Sequence, residues 1–474
     1  MAMRYPLEPD DSQMRELGEA ALSFVREHIV ALPESAASGL EDWEELVETF
    51  RGAPPEIGSD LASRLDEIAS AGSKSFNTAG PGYLAYIPGG GLYTAALADF
   101  IALGLNRYVG LWQASPLFVA MEQSVIDWLI ALFGYPSEAR GILTSGGSMA
   151  NFSAVVTARR AKLPEDFLNG ILYVTEQTHA SVAKAAGLAG FPKRAIRSVP
   201  ARDYRMDVDE LRVMIRDDRA AGHQPFLVVA SAGTTNTGTV DPISELAELC
   251  ELEGLWLHAD GAYGGAFQLT DRGRKAFAGI ERADSITLDP HKGMFLPYGT
   301  GALIVRDGDA LRFAHQSHAD YLQDLAPDGV LPNYNEYSAE LSREFRGLRV
   351  WLPLRLHGVA AFREALDEKL DLARVVYDAL SQTPDLVLPA GEPDLSIVPF
   401  RFQPSSISDT GEIDDLNARL LALINASKRV FMSSTLLDQR FTLRVAVLSH
   451  RTHRDRIDEA VNIIRECAAS LAVH

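Results

Sequence analysis

Residues 285–305 read SITLDPHKGMFLPYGTGALIV. A short apolar run, Ser285–Leu288, ends at Asp289-Pro290; His291-Lys292-Gly293 follows, and a second apolar run, Gly301–Val305, starts soon after. Short apolar runs bounded by turn residues are the pattern of strands buried on both faces. A lysine delivered at the carboxyl end of a buried strand is desolvated, and desolvation favours the neutral, nucleophilic amine that a Schiff base requires. One lysine at a loop edge establishes little, so the ends of the other strands decide.

Outward from this stretch the chain alternates. Further strand patterns lie at Gly141–Leu143, Ile171–Val174, Phe226–Ala230 and Leu255–Leu257, with helical patterns in most of the gaps. That is the spacing of crossover units on a largely parallel sheet, an α/β fold. In such sheets ligands gather at the carboxyl ends of the strands. After the first comes TSGGSMANFSAVVTARR, in which Ser145–Ser148 open an alanine-rich helix. Glycines and a helix N-terminus suit an anion such as phosphate, although ordinary helix starts use the same small residues. The spacing matches neither a dinucleotide fingerprint nor a Walker loop.

The second strand delivers His179, a flat imidazole able to stack on an aromatic ring, though a lone histidine is usually a satisfied polar residue. The third ends in SAGTTNTGTVDP, where Thr234 and Thr235 offer hydroxyls in what is otherwise an ordinary Thr/Gly turn. The fourth ends in LHADGAYGG, so Asp260 emerges from an apolar run and needs a cationic partner to offset its desolvation. Gly261 and Ala262 leave room beside it for a flat ring. Phosphate donors, an imidazole, a buried carboxylate and a buried lysine on successive strand ends are the set a pyridoxal phosphate (PLP) site needs.

The rest of the chain sets bounds. At 474 residues it exceeds one hydrophobic core. An N-terminal helical and loop arm (1–90), a large α/β domain (91–350) and a smaller α+β domain (351–474) are expected. The arm starts with a helix over Ser12–Ala31 whose apolar face carries Met14, Leu17, Ala21, Phe24, Val25 and Ile29, and it could wrap a neighbouring subunit. The small domain opens on a helix over Phe362–Leu380. A formal charge of −20 argues against nucleic acid or an anionic membrane as partner. No apolar stretch spans a bilayer and the start lacks a signal peptide's apolar region, so a cytoplasmic protein is expected. Cys250 and Cys467 fall on apolar helix faces and read as buried thiols; neither a disulfide nor a metal site is expected.

Taken together, AYIPGGG, LWQASP, TSGGSMAN, EQTHASVAKA, AGTTNTG, WLHADGAYGG, DPHK and SREFRGLRVWLPLRLHG resemble, in order, the blocks of the group II PLP-dependent amino-acid decarboxylases, the aromatic-L-amino-acid decarboxylase family. The resemblance covers nearly the whole chain. It implies PLP fold type I (aspartate-aminotransferase-like), a homodimer with active sites at the interface, and α-decarboxylation of an L-amino acid to the amine and CO2. By position, Lys292 would be the aldimine anchor, Asp260 the partner of the pyridine nitrogen and His179 the stacking ring. Gly147, Ser148 and His291 would hold the phosphate, Ala262 would flank the ring, and Thr235 would approach the ring oxygen and the substrate carboxylate. Asp289 stands where many members carry asparagine, which puts its part in the phosphate cradle in question.

Counting back from FRGLRVW puts the tyrosine that reprotonates Cα at Tyr334, with Tyr321 and Tyr337 nearby. A tyrosine there, instead of phenylalanine, favours decarboxylation over aldehyde formation. On the substrate side the resemblance points to Tyr86, Pro88 and, from the partner subunit, Tyr108, besides Thr235. Thr78, Ile87 and Gly110 stand where bulky walls are usual, so the pocket is reshaped, with an aromatic or hydrophobic amino acid preferred. The rivals are an aldehyde synthase or carbon–carbon lyase on the same fold, and a catalytically silent binding scaffold. Retention of the lysine, aspartate and histidine together argues against the scaffold.

Overall fold

The computed structural model describes residue 5 and residues 7–316 and 330–472. The large sheet is built, in chain order, from β1 (Arg140–Thr144), β2 (Gly170–Val174), β3 (Ile196–Ser198), β4 (Gln224–Ser231), β5 (Trp256–Gly261), β6 (Ser285–Leu288) and β7 (Gly301–Val305). Its seven strands lie in the order β1-β7-β6-β5-β4-β2-β3. All neighbours are parallel except β7, which runs antiparallel to both β1 and β6. The short edge strand β3 was not apparent from the sequence, because only Ile196 interrupts its polar run.

The continuous apolar strands follow from burial on both sides. Leu143, Ile171, Tyr173, Val228, Leu257 and Ile286 pack into one core, whereas Ile142, Leu172, Leu227, Val229 and Leu303 pack into a second. Successive side chains point to opposite faces, so a strand facing two cores is apolar throughout. The interstrand register pairs Ser231 with Asp260 and Asp260 with Thr287. Three strands thereby end level with one another.

A second, antiparallel sheet contains β8 (Leu386–Val387), β9 (Ile397–Phe402), β10 (Ser433–Leu437) and β11 (Arg440–Ala446), in the order β8-β9-β11-β10. Val398, Phe400, Leu443 and Val445 bury against helices Thr410–Ala426 and Arg454–Ala472. The helix expected over Phe362–Leu380 begins earlier, spanning Gly347–Ser381 across a kink at Gly358, where φ is +74°. Residues 83–87 lie against this unit: Leu84 donates to Phe431 O at 2.9 Å, and its own carbonyl accepts from Ala446 N at 2.9 Å.

The N-terminal helix forms over Asp11–Ala31, with an Asp10/Gln13 capping box, yet none of its residues is buried in the single chain. Cys250 is buried as expected, but Cys467 is only half-buried, because it sits at the rim of the core beneath the antiparallel sheet.

Candidate active site

The carboxyl ends of the parallel strands converge on a cavity of about 250 Å³ lined by Ser145–Met149, Asn151, His179, Ser181, Ala262, Asp289, His291 and Lys292. A narrower recess adjoins it, reaching Gln177, Thr234, Thr235, Asp260 and Tyr263 and sharing His179, Ala262 and Lys292. The structure therefore brings together Lys292, Asp260, His179, Gly147, Ser148, Thr235, Ala262, Asp289 and His291.

The floor is a hydrogen-bond network absent from the sequence reading, and Asn151 is its centre. Asn151 Nδ2 donates to Asp260 Oδ2 (3.0 Å) and to Ser181 Oγ (3.0 Å). Because a carboxylate only accepts, the amide orientation is fixed, and Asn151 Oδ1 must receive donors on its other side. Those are Thr287 Oγ1 (2.9 Å) and His258 Nε2 (3.0 Å). The His258 proton therefore sits on Nε2. Its Nδ1 accepts from Ser285 Oγ (2.8 Å), which in turn accepts from Trp256 Nε1 (2.8 Å). Burial drives the His258 imidazole down to about 4, against the pull of Asp260, so it is neutral near pH 7.

The same logic fixes His179. Ser181 N donates to His179 Nδ1 (3.2 Å), so that nitrogen is an acceptor, and the Ser181 hydroxyl, itself accepting from Asn151, donates to it as well (2.7 Å). His179 thus presents Nε2 as its donor nitrogen. Asp260 is completed by Ala262 N, which donates to Oδ1 at 3.1 Å.

The opposite edge is built differently. Gly146 ends β1's extension at φ +151° and caps the helix Gly147–Lys162. A Cβ on Gly147 would come within 2.9 Å of Asp289 Oδ2 and 3.0 Å of Ala262 Cβ, so only glycine leaves this helix start open. Lys292 Nζ lies 3.0 Å from Asp289 Oδ2. The lysine, expected to be desolvated at this strand end, keeps a carboxylate contact, because its turn folds the side chain back over Asp289. Asp289 Oδ1 is buried and has no hydrogen-bond partner among the described residues. His291 Nδ1 donates to Thr300 O at 2.6 Å.

Arg444, from the second sheet, is a further residue the sequence did not single out. Its guanidinium donates to the carbonyls of Thr235 and Asn236 and to Tyr86 O, tying the small sheet to the threonine turn. Burial pulls it down to about 10. An arginine inside a strand carries no signal of its own, since its partners come from residues far off in sequence.

Several expected site residues lie outside these two cavities. Tyr86, in a left-handed conformation (φ +48°), is 52% exposed. Pro88 is buried behind the lysine turn, where the next residue, Gly89, touches His291 O closely enough to exclude a Cβ. Tyr108 donates to Leu341 O at 2.8 Å and lies over Gly110. Tyr334 is 1% exposed; its hydroxyl donates to Gln123 Oε1 at 3.1 Å and its ring lies under the Arg343 guanidinium, 5.0 Å away. Burial, reinforced by Glu122, pushes that phenol far up. Counting residues from a downstream block could not reveal this, because Gln123, Glu122 and the Arg343 ion pair reach Tyr334 from elsewhere in the chain. Tyr321 lies outside the described residues; Tyr337 packs at the edge of the second core.

Comparison with known proteins agrees with this geometry. The family model for the pyridoxal-dependent decarboxylase conserved domain matches residues 73–403. An aromatic-L-amino-acid decarboxylase of Bacillus atrophaeus is 36% identical over 97% of this chain and 96% of its own length. Tryptophan decarboxylase 1 of Oryza sativa subsp. japonica is 28% identical, covering 98% and 95%. A crystal structure of Oryza sativa TDC with PLP and tryptamine superposes with a TM-score of 0.93 at 26% identity, covering 99% of this chain and all of that one. The chain belongs to the pyridoxal-dependent decarboxylase family and is a PLP-dependent amino-acid decarboxylase.

Proposed function

We propose that the protein removes the α-carboxylate of an aromatic or hydrophobic L-amino acid, releasing CO2 and the amine, and that it works as a cytoplasmic homodimer. The observation that carries this reading is the convergence of Lys292, Asp260, His179 and the Gly146–Ser148 helix start on one cavity at the sheet's carboxyl edge. These residues fit PLP. The glycine helix start leaves a cradle for an anion, Lys292 faces it, and a buried carboxylate lies across the cavity.

When bound, PLP supplies the electron sink for the bond broken at Cα. Lys292 would anchor it. Asp260, fixed by Asn151 and Ala262 N, would hold a proton on the pyridine nitrogen, at the place where charge develops. His179 would lie against the ring beside Ala262. Gly147 and Ser148, with Asp289 and His291 behind them, would hold the phosphate, and Thr235 would orient the substrate carboxylate. Tyr86, Pro88 and the neighbouring chain's counterpart of Tyr108 would shape the substrate side. For reprotonation at Cα, Tyr334 would have to leave Gln123, and Tyr321 is the competing candidate.

The relatives' names support the substrate class. Exposed Met14, Leu17, Val25, Phe100, Leu103 and Leu117 support a second copy covering the N-terminal arm and its neighbourhood. Two free cysteines and the acidic charge fit the cytoplasm. The test is a panel of L-amino acids assayed for CO2 and amine, with sedimentation for the dimer. Aldehyde, ammonia and peroxide as products would overturn simple decarboxylation, and inactivity on every aromatic member would remove the substrate class. Comparing Tyr321→Phe with Tyr334→Phe in the same assay assigns the proton donor.

A further inference from the structure

We propose that Asp289 takes up a proton as the cofactor loads, receiving it from Lys292 and turning from that lysine's counter-ion into a hydrogen-bond donor toward the phosphate. The proposal rests on the PLP reading above. The Asp289 side chain is 2% exposed, with Oδ2 3.0 Å from Lys292 Nζ and 3.7 Å from His291 Nε2. Its other oxygen, Oδ1, is buried without a hydrogen-bond partner among the described residues. A Cβ on Gly147 would be 2.9 Å from Oδ2, so the carboxylate faces the helix start that would receive the phosphate.

The surrounding charges leave Asp289 dependent on Lys292. His291 gives its Nδ1 proton to Thr300 O, so the neutral ring turns a lone pair, not a proton, toward Asp289. Burial pushes that ring down, which keeps it neutral. Arg349 stands behind it, donating to Thr300 Oγ1 at 2.8 Å, but its charge is engaged by Asp99 at 2.6 Å. Among the described residues, the remaining titratable groups around the cavities are His179 and Asp260, each held in the Asn151 network, Tyr263, whose hydroxyl is engaged by Ser396 Oγ at 2.8 Å, and Tyr298, whose ring lies 5.6 Å from that of His291.

Lys292 attacks a carbonyl only as the neutral amine. Its Nζ–H bond must break, and Asp289 Oδ2 is the acceptor in contact. The proton moves to the carboxylate as an O–H bond, the nitrogen lone pair is freed, and no co-reactant is needed. A carboxylate left charged there would face the phosphate anion, and like charges at close range favour protonation of one of them. The neutral acid instead presents an O–H to a phosphate oxygen.

The test adds PLP to PLP-free protein and records infrared difference spectra in H2O and D2O. A protonated-carboxyl band, shifted by deuterium, is expected on loading of the wild type and is absent from Asp289→Asn. Calorimetry of PLP binding in buffers of different ionisation enthalpy should show the wild type binding about one proton more per site than Asp289→Asn. No carboxyl band in loaded wild type, or equal proton counts in the two proteins, overturns the proposal. The wild-type band does not depend on the variant folding. Failure of the wild type to take up PLP at all is a separate result, which overturns the cofactor reading itself.

Discussion

The floor of the cavity and its phosphate-side edge are built on opposite principles. On the floor every polar atom of the Asn151 amide is used, and the donor direction is forced from Trp256 through His258 to Asp260 and His179. At the edge, one oxygen of Asp289 is buried with no donor to accept from among the described residues. An unsatisfied buried polar atom costs about 1–3 kcal/mol, so native proteins keep few of them. The difference separates two tasks. The floor is completed by folding and holds its groups in place, whereas the edge is completed only by what binds.

The most severe way to break the edge is Lys292→Ala. Trapping by borohydride and release of CO2 should both fall to background, and any fall in the thermal midpoint reflects only the counter-ion that Asp289 loses. Residual trapping at another lysine would show that the anchor lies elsewhere. The floor should respond the other way round. Asn151→Leu leaves Asp260, His258, Ser181 and Thr287 without their shared partner, at a cost of about 3–5 kcal/mol. Chemical denaturation should register this in PLP-free protein. An unchanged midpoint would mean that the network does not brace the fold.

Acid should also distinguish the two regions. His258 is held near 4 in the fold against an ordinary value of 6.5. The unfolded chain therefore binds the extra proton between those values, and stability is full above about 6.5 and lost as pH falls toward 4, by about 2–3 kcal/mol. Asp241 acts in the opposite sense: burial raises it to about 6, so its contribution is present at low pH and lost as pH rises from about 4 to 6. The wild-type profile mixes both, and the informative quantity is its difference from His258→Gln. That difference should shrink on acidification from pH 6.5 to 4. A pH-independent difference would show that His258 does not titrate across that window.

Gly147→Ala tests the edge alone. The methyl would press on Asp289 Oδ2 and Ala262 Cβ, so PLP affinity should fall about tenfold, roughly 1.4 kcal/mol. Fluorescence titration with PLP measures this, and an unchanged affinity would mean that the cradle is elsewhere.

The same contrast governs what could be read in the sequence. The edge and the strand ends were legible because each carries a residue out of place in its local pattern: Asp260 and Lys292 at the ends of apolar runs, and Gly146-Gly147 before a breaker-free helix. The floor was not. Asn151 looks like a helix-interior polar residue, and His258 like a strand residue awaiting a partner. Their meaning depends on the β4–β5–β6 register and on a helix laid across it. Arg444 was hidden for the same reason. Tyr334 is the inverse case: a plausible position in the chain, held by side chains that approach it only in three dimensions.

Tyr334→Phe is the mildest test, and it bears on a region apart from both floor and edge. The phenol's hydroxyl meets Gln123 Oε1 within a setting where Arg343 and Glu122 form a fully buried ion pair, 2.6 Å apart. Its ring remains in phenylalanine, so the packing under Arg343 is kept and one hydrogen bond is lost, about 1 kcal/mol. If Tyr334 is an anchor only, that stability loss should appear with amine formation unchanged. If it also leaves Gln123 to donate a proton at Cα, the product pattern or turnover must change on top of that same stability loss. Measured together, the denaturation midpoint and the ratio of amine to aldehyde separate the two roles, because only the second requires the hydroxyl to be somewhere other than where the fold holds it.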